Sequence, residues 1–193
     1  MMLSSRTIAM LGDHHPRGRL KTLESVINKL QRQPTIRLSQ IQDIAGCRTR
    51  VTDVRHQNML VSRIAVEFPS LVLRVDDMRE SPNCGYRAVH VVLRLETRHV
   101  VEVQVRTPIQ DSWANASELA AEKFGMDVKY CGGPPPVRRA LDLLSASGRA
   151  VESIDVGQPA DERRTGDAGT TRDIRGGYER AVRELSMLFV SKG

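Results

Sequence analysis

Aromatic residues and long apolar runs are both scarce in this 193-residue sequence. Only 4% of the residues are aromatic, so Leu, Val, Ile and Ala must build most of the core. Proteins that bind single-stranded nucleic acid usually stack bases on several aromatic side chains, and the low aromatic content makes that class a weak interpretation. No apolar run approaches the roughly 18 residues of a membrane-spanning helix, and the N-terminus lacks a clear signal-peptide pattern. We therefore expect a cytoplasmic protein with no membrane partner.

Cysteine is also rare, with Cys47, Cys84 and Cys131 widely spaced along the chain. An odd number of cysteines without a CxxC pair or a Cys/His spacing does not indicate a zinc site. Disulfides are rare in cytosolic proteins, so we expect all three thiols to be reduced.

Charge is plentiful and unevenly balanced. Lys and Arg total 29 against 23 for Asp and Glu, which gives a formal charge of +6 and a pI near 9.6. A basic balance favours phosphate-bearing partners, namely nucleotides, nucleic acids or acidic surfaces, without choosing among them. The length suggests one domain, or one domain with an extension.

Hydrophobic periodicity and turn residues predict an α+β fold, with a mixed sheet of four to five strands flanked by helices. The predicted elements are, in order, a helix over 19–32, a short helix begun by Ser39, a strand over 47–51, a helix over 54–68, a strand over 71–75, a hairpin over 88–106, and helices over 108–124, 137–154 and 178–190. We divide the chain into an N-terminal arm (1–16), a main domain (17–154), a flexible linker (155–177) and a C-terminal helix (178–193).

The first helix has two distinct faces. An apolar stripe at helical spacing predicts the buried face, and it comprises Leu20, Leu23, Ile27 and Leu30. Lys21, Ser25 and Lys29 recur every four residues on another face. Such a face is usually just solvated, and the alternative is a set of cations directed at a polyphosphate.

The hairpin carries the most informative pattern. In its second strand Val101, Val103 and Val105 alternate with Glu102, Gln104 and Arg106, so one face suits a core and the other is polar. Residues that pair across the two strands of a hairpin point to the same face. His90 therefore shares the polar face with Glu102 only if each residue of the first strand pairs with a residue of the second such that the two residue numbers have an even sum. That register requires an odd-length loop, such as 97–99.

Two carboxylates, Asp43 and Glu102, suit Mg²⁺, which favours a few carboxylates together with substrate phosphates. Phosphoryl-type transfer also needs cations to position the phosphates and a group to orient the attacking hydroxyl. Glu102 suits the hydroxyl, Tyr86 suits stacking on a purine base, and the candidate cations are Arg19, Lys21, Lys29 and Arg48. The plainer readings are that Asp43 forms a salt bridge with Arg48 and that Tyr86 is half-buried at a strand start.

Five motifs together resemble the synthetase domain of RelA/SpoT-type (p)ppGpp synthetases, with the layout of the single-domain small alarmone synthetases. The resemblance covers roughly residues 17–145. The motifs are Arg19-x-Lys21-x-x-x-Ser25-x-x-x-Lys29, IQDIAGCR, GYRAVH, VEVQVRT and Gln110-Asp-x-Trp113.

This resemblance implies a nucleotidyltransferase-like fold that transfers pyrophosphate from ATP to the 3′-hydroxyl of GDP or GTP, with Mg²⁺, in stringent-response signalling. By motif, the ATP phosphates would be held by Arg19, Lys21, Ser25, Lys29 and Arg48. Asp43 would bind the metal, and Glu102 would bind the metal or activate the hydroxyl. The acceptor site would comprise Tyr86, His90 and Gln104, with Arg79 as the nearest cation in a preceding loop that has no lysine.

Two other functions remain open from the sequence. A related toxin-type pyrophosphotransferase would act on tRNA 3′ ends or adenosine nucleotides. A catalytically silent nucleotide-binding homologue would have no need of Asp43 and Glu102. Relatives are often homo-oligomers, so the C-terminal helix is a candidate for an interface by analogy alone.

Overall fold

The computed structural model describes residues 16–38, 41, 44–97 and 99–157, together with positions 176, 178, 182 and 187. The described residues form two compact units. The first contains the described residues up to Val51, together with His56–Asp77 and Ala88–Arg106, and the second contains Thr52–Arg55, Met78–Arg87 and the residues from Thr107 onwards.

The first unit holds a mixed sheet of five strands with the order β1-β2-β5-β4-β3. β2 and β5 are parallel, and the other neighbouring pairs are antiparallel. The strands are β1 (Arg17–Leu20), β2 (Ala45–Arg50), β3 (Val72–Asp77), β4 (Val89–Arg94) and β5 (Val100–Arg106). The predicted sheet of four to five strands is therefore confirmed.

Four α-helices accompany the strands in the described part of the chain. They are α1 (Leu23–Arg32), α2 (Val54–Glu67), α3 (Pro108–Phe124) and α4 (Pro135–Gly157), and a 3₁₀ helix (Met126–Tyr130) follows α3. The predicted helix over 108–124 matches α3, at whose start Thr107 and Gln110 form a capping box, with Pro108 in the first turn and Gly125 at the C-terminal end.

The predicted helix over 19–32 is wrong in its first part, because Arg17–Leu20 form an edge strand. This segment pairs with β2, so strand hydrogen bonds replace the helical turn that periodicity indicated. Thr22 caps α1, accepting a hydrogen bond from the Ser25 amide at 3.3 Å. The apolar stripe is also wrong as a buried face, since Leu20 and Leu23 are more than 70% exposed and Val26 is the buried residue of this helix.

The valine face of the hairpin is the core of the first unit. Val101, Val103 and Val105 are almost fully buried and cluster with Leu60 and Ile64 of α2. Burying one such side chain contributes about 1.5–3 kcal/mol. Gln57 of α2 is also buried, and its side-chain amide donates a 2.8 Å hydrogen bond to the Val105 carbonyl, which fixes α2 against β5.

The hairpin register is confirmed. His90 pairs with Gln104 and Arg94 with Val100, so the paired numbers have an even sum and His90 shares a face with Glu102. The Leu95 amide donates to the His99 carbonyl, which makes the odd loop 96–98, one residue earlier than the example derived from sequence.

The second unit has its own core around Trp113. Val137, Leu141 and Leu144 of α4 pack in it. The Trp113 indole donates a 2.8 Å hydrogen bond to the Leu141 carbonyl, joining α3 to α4. Tyr178 packs against this cluster and is helical. Most of the predicted linker and C-terminal helix, and the short helix begun by Ser39, lie outside the described residues.

The expectation of three reduced thiols is wrong, because Cys84 and Cys131 form a disulfide within the second unit. They are separated by 47 residues, a spacing from which no pairing can be read. Cys47 is a free thiol in the core of the first unit, and burial raises its pKa to about 11. No helix among the described residues is long and apolar enough to cross a membrane.

Gly46 lies where β2 and β5 approach each other closely, and a Cβ at this position would overlap the Glu102 carbonyl oxygen. We predict that Gly46→Ala lowers the free energy of unfolding by about 1–3 kcal/mol, because the strands must separate to admit the methyl group. Urea denaturation would measure the loss. Gly18→Ala in β1 is the matched control, since no atom lies within 4 Å of a Cβ there. Equal effects of the two substitutions would contradict the prediction.

Candidate active site

The polar face of the sheet is built by positions that lie across from one another on neighbouring strands. Arg17, Arg48, Gln104, His90 and Asp76 occupy one line across all five strands. A second line, displaced along the strands, contains Arg19, Gly46, Glu102, Val92 and Arg74. The two lines therefore contain the positions of five predicted site residues, and these are Arg19, Arg48, His90, Glu102 and Gln104.

Glu102 lies at the centre of this face and is held from two sides. His90 Nδ1 lies 3.3 Å from one carboxylate oxygen, and the Gln104 side-chain amide donates a 2.7 Å hydrogen bond to the other. The Glu102 side chain is only 13% exposed. A carboxylate oriented in this way is fixed in position for a proton acceptor or a metal ligand.

Arg106 extends the same network. Its guanidinium donates a 2.9 Å hydrogen bond to the Gln104 side-chain oxygen, and Arg106 is buried. This bond determines which end of the Gln104 amide faces Glu102, because the oxygen accepts from Arg106 and the nitrogen donates to Glu102. Sequence analysis placed Arg106 on the polar face but gave it no role.

The predicted cations on the first helix are placed differently from the expectation. Lys21 precedes the helix, where its backbone amide donates to the Ile44 carbonyl at 2.8 Å. Ser25 lies in the first turn of α1, where its hydroxyl accepts a 2.9 Å hydrogen bond from Thr22, and Lys29 lies one turn later. Only Ser25 and Lys29 thus share a helical face. Arg19 occupies the β1 position across from Gly46.

Two predicted acceptor residues belong to the second unit. Tyr86 is half-buried and its ring centroid lies 6.1 Å from that of Trp113, at an interplanar angle of 59°. Arg79 lies in the loop before it, and the Arg79 carbonyl accepts a 3.1 Å hydrogen bond from the Arg87 guanidinium. Asp43, the predicted metal ligand, lies outside the described residues.

A tight turn fixes the backbone before Tyr86. The Tyr86 amide donates to the Asn83 carbonyl at 2.9 Å, and the two residues between them, Cys84 and Gly85, have φ values of 54° and 89°. Positive φ at both central residues is typical of a type I′ turn. A side chain at Gly85 would also meet the Trp113 ring at 2.9 Å, so this position requires glycine twice over.

A family model described as a region found in RelA / SpoT proteins matches residues 18–123, which include the polar face of the sheet and the turn before Tyr86. The chain belongs to the RelA/SpoT family. The resemblance stated from the motifs is therefore confirmed.

Two relatives illustrate the range of the RelA/SpoT match. An uncharacterized protein of Mycobacterium tuberculosis is 41% identical over 114 residues, 58% of this chain and 41% of that protein. The GTP pyrophosphokinase YwaC of Bacillus subtilis is 28% identical over 127 residues, 59% of this chain and 60% of that enzyme. The match thus spans less than two thirds of the length of either relative.

Solved structures show the same fold. The small alarmone synthetase 1 of Bacillus subtilis superposes with a TM-score of 0.63 at 21% identity, over 77% of this chain and 82% of that one. A second structure of that enzyme, bound to its product pppGpp, has a TM-score of 0.61 at 21% identity, over 79% and 83% of the two chains. The α+β class with a mixed sheet, as in these synthetases, is thereby confirmed.

Proposed function

We propose that this chain transfers pyrophosphate from ATP to the 3′-hydroxyl of GDP or GTP. The observation that carries the proposal is the Glu102 carboxylate, which His90 and Gln104 hold in a nearly buried position on the polar face of the sheet. Membership of the RelA/SpoT family, a GTP pyrophosphokinase among the relatives and a pppGpp-bound neighbour support this substrate class.

In the proposed reaction, the 3′-hydroxyl oxygen of the acceptor attacks the β-phosphorus of ATP. The bond between that phosphorus and the oxygen bridging to the α-phosphate breaks, and AMP leaves. Glu102 takes the hydroxyl proton or orients the hydroxyl for attack. Because such transfer depends mainly on positioning and charge neutralisation, fixed polar groups are the chief contribution of the protein.

Donor phosphates would be bound near the start of α1. Lys21 precedes the N-cap Thr22, Lys29 lies in the last turn of the helix, and the helix N-terminus adds partial positive charge. Arg48 on β2 lies in the same line across the sheet as Gln104, and Arg19 on β1 lies in the same line as Glu102. We assign Ser25 to the same phosphate site and Tyr86, with Arg79, to the acceptor nucleoside.

Mg²⁺ fits the chemistry of the donor set. The described residues contain no group of three His, Cys, Asp or Glu side chains suited to a metal. Mg²⁺ commonly binds one or two carboxylates and completes its shell with water and substrate phosphates. Glu102 would supply one carboxylate and Asp43 the second. When bound, the ion neutralises charge on the transferring phosphates.

Purified protein should be incubated with γ-labelled ATP and, separately, GDP, GTP, AMP or tRNA. We expect label in a guanosine product that depends on Mg²⁺. Label found only in tRNA or in an adenosine product would reject the proposed acceptor and favour the toxin-type alternative. The absence of transfer to every acceptor would favour a silent homologue.

A further inference from the structure

One face of α4 contacts the loop 78–87 along its length. Arg138, Ser145, Arg149 and Glu152 lie at spacings of seven, four and three residues, which place them on one side of a helix. Each of the four touches the loop or its end. The adjacent side of the helix carries Val137, Leu141 and Leu144 into the Trp113 core.

The first two of these residues, Arg138 and Ser145, contact backbone carbonyls of the turn before Tyr86. Arg138 donates a 2.7 Å hydrogen bond to the Cys84 carbonyl, and the Ser145 hydroxyl donates one of the same length to the Gly85 carbonyl. Arg149 forms a salt bridge with Glu80 at the other end of the loop. The first two contacts therefore hold the backbone of the turn itself.

Glu152 makes the most deeply buried contact. Its carboxylate lies 2.7 Å from the Arg87 guanidinium, and the two side chains are 5% and 7% exposed. Glu152 also accepts hydrogen bonds from the Thr107 hydroxyl and, at 3.0 Å, from the Gln110 amide. Arg87 directly follows Tyr86, so a buried charge pair fixes the residue next to the proposed acceptor ring.

We propose that Glu152 is a positioning residue that, through Arg87 and the contacts of its helix face, holds loop 78–87 in the conformation in which Tyr86 receives the acceptor base. The inference rests on the proposed function for the role of Tyr86. It assigns acceptor affinity to a helix segment that lies beyond the residues matched by the family model.

The primary variant is Glu152→Gln, which keeps the shape and the hydrogen-bonding capacity towards Thr107 but removes the charge opposite Arg87. We expect KM for GDP or GTP to rise at least about tenfold, because a buried charge loses its partner. We expect KM for ATP to stay within about twofold, since the loop is not assigned to the donor.

Ser145→Ala, a milder change that removes one hydrogen bond to Gly85, should raise the acceptor KM by a few fold.

The matched control is Leu144→Ala in the same helix. Leu144 is buried in the Trp113 core and makes none of the four polar contacts from α4 to the loop, so the substitution destabilises α4 while those contacts are kept. We expect it to lower the melting temperature at least as much as Glu152→Gln and to leave the ratio of the two KM values unchanged. An equal shift in acceptor KM for both variants would overturn the proposal, because general destabilisation would then explain it.

Hydrogen exchange provides a readout that does not depend on activity. Amides of 78–87 should exchange faster in Glu152→Gln than in the wild type, while those of β5 keep their rate. Unchanged exchange in the loop would reject the positioning role. If the wild type transfers label to no acceptor, the proposed function fails, and the exchange rates still decide whether Glu152 holds the loop.

Discussion

Replacing Glu102 by Gln should lower kcat about 10³-fold and leave ATP binding nearly unchanged. The substituted amide keeps the size of the side chain, but it cannot take a proton and is a poor Mg²⁺ ligand. General acid–base catalysis contributes about 10²–10⁴-fold, which sets the scale of the expected loss. Turnover would be followed with labelled ATP and GDP, and ATP affinity by equilibrium binding of a non-hydrolysable analogue.

Glu96→Gln is the matched control for this experiment. Glu96 is an exposed carboxylate in the loop of the same hairpin, so its loss removes one negative charge from the hairpin without touching the polar face. We expect wild-type turnover from this variant. If Glu102→Gln retained more than about a tenth of the wild-type rate, Glu102 could not have the catalytic role proposed here.

Reduction of the Cys84–Cys131 disulfide should produce the largest loss of stability. A cross-link that closes a loop of 47 residues contributes about 4 kcal/mol by the chain-entropy estimate, and measured values are commonly 2–4 kcal/mol. The expected result is a lower denaturation midpoint in the presence of a dithiol. Because Cys84 lies in the turn before Tyr86, we also expect weaker binding of the acceptor, with ATP binding retained.

The double variant Cys84→Ser, Cys131→Ser controls for other effects of the reductant. It should show the low midpoint from the start and no further response to a dithiol. Thiol counting gives an independent check. The reduced native protein should offer two reactive thiols, whereas Cys47 should react only after unfolding, since its thiol is buried and its raised pKa keeps it protonated. An identical midpoint with and without reductant would contradict the prediction.

Sequence reasoning was most accurate where local patterns and tertiary structure agree. The alternation in 101–106 predicted both the buried valine face and the polar face, because a strand with one buried face has only one register that satisfies it. The predicted helix over 108–124 matches α3, since the capping box at its start depends on neighbouring residues alone.

The errors arose where distant contacts override local preference. Residues 19 and 20 have a pattern compatible with a helix, but the backbone of 17–20 pairs with β2, 25 to 31 residues away. The disulfide and the Arg87–Glu152 pair join residues 47 and 65 positions apart, and nothing in the local sequence around either partner encodes the other. Amphipathic patterning identifies the buried side of α4 but not the polar residues that contact a loop.

The contacts made by α4 bear on where the functional unit ends. The family model matches the chain up to residue 123, whereas Cys131 and the four loop-contacting residues of α4 follow that residue. The proposed chemical groups and the supports of the acceptor loop therefore lie in separate stretches of the chain. On the proposed function, substitutions after residue 123 would therefore weaken binding of the acceptor while the motifs within the matched region stay intact.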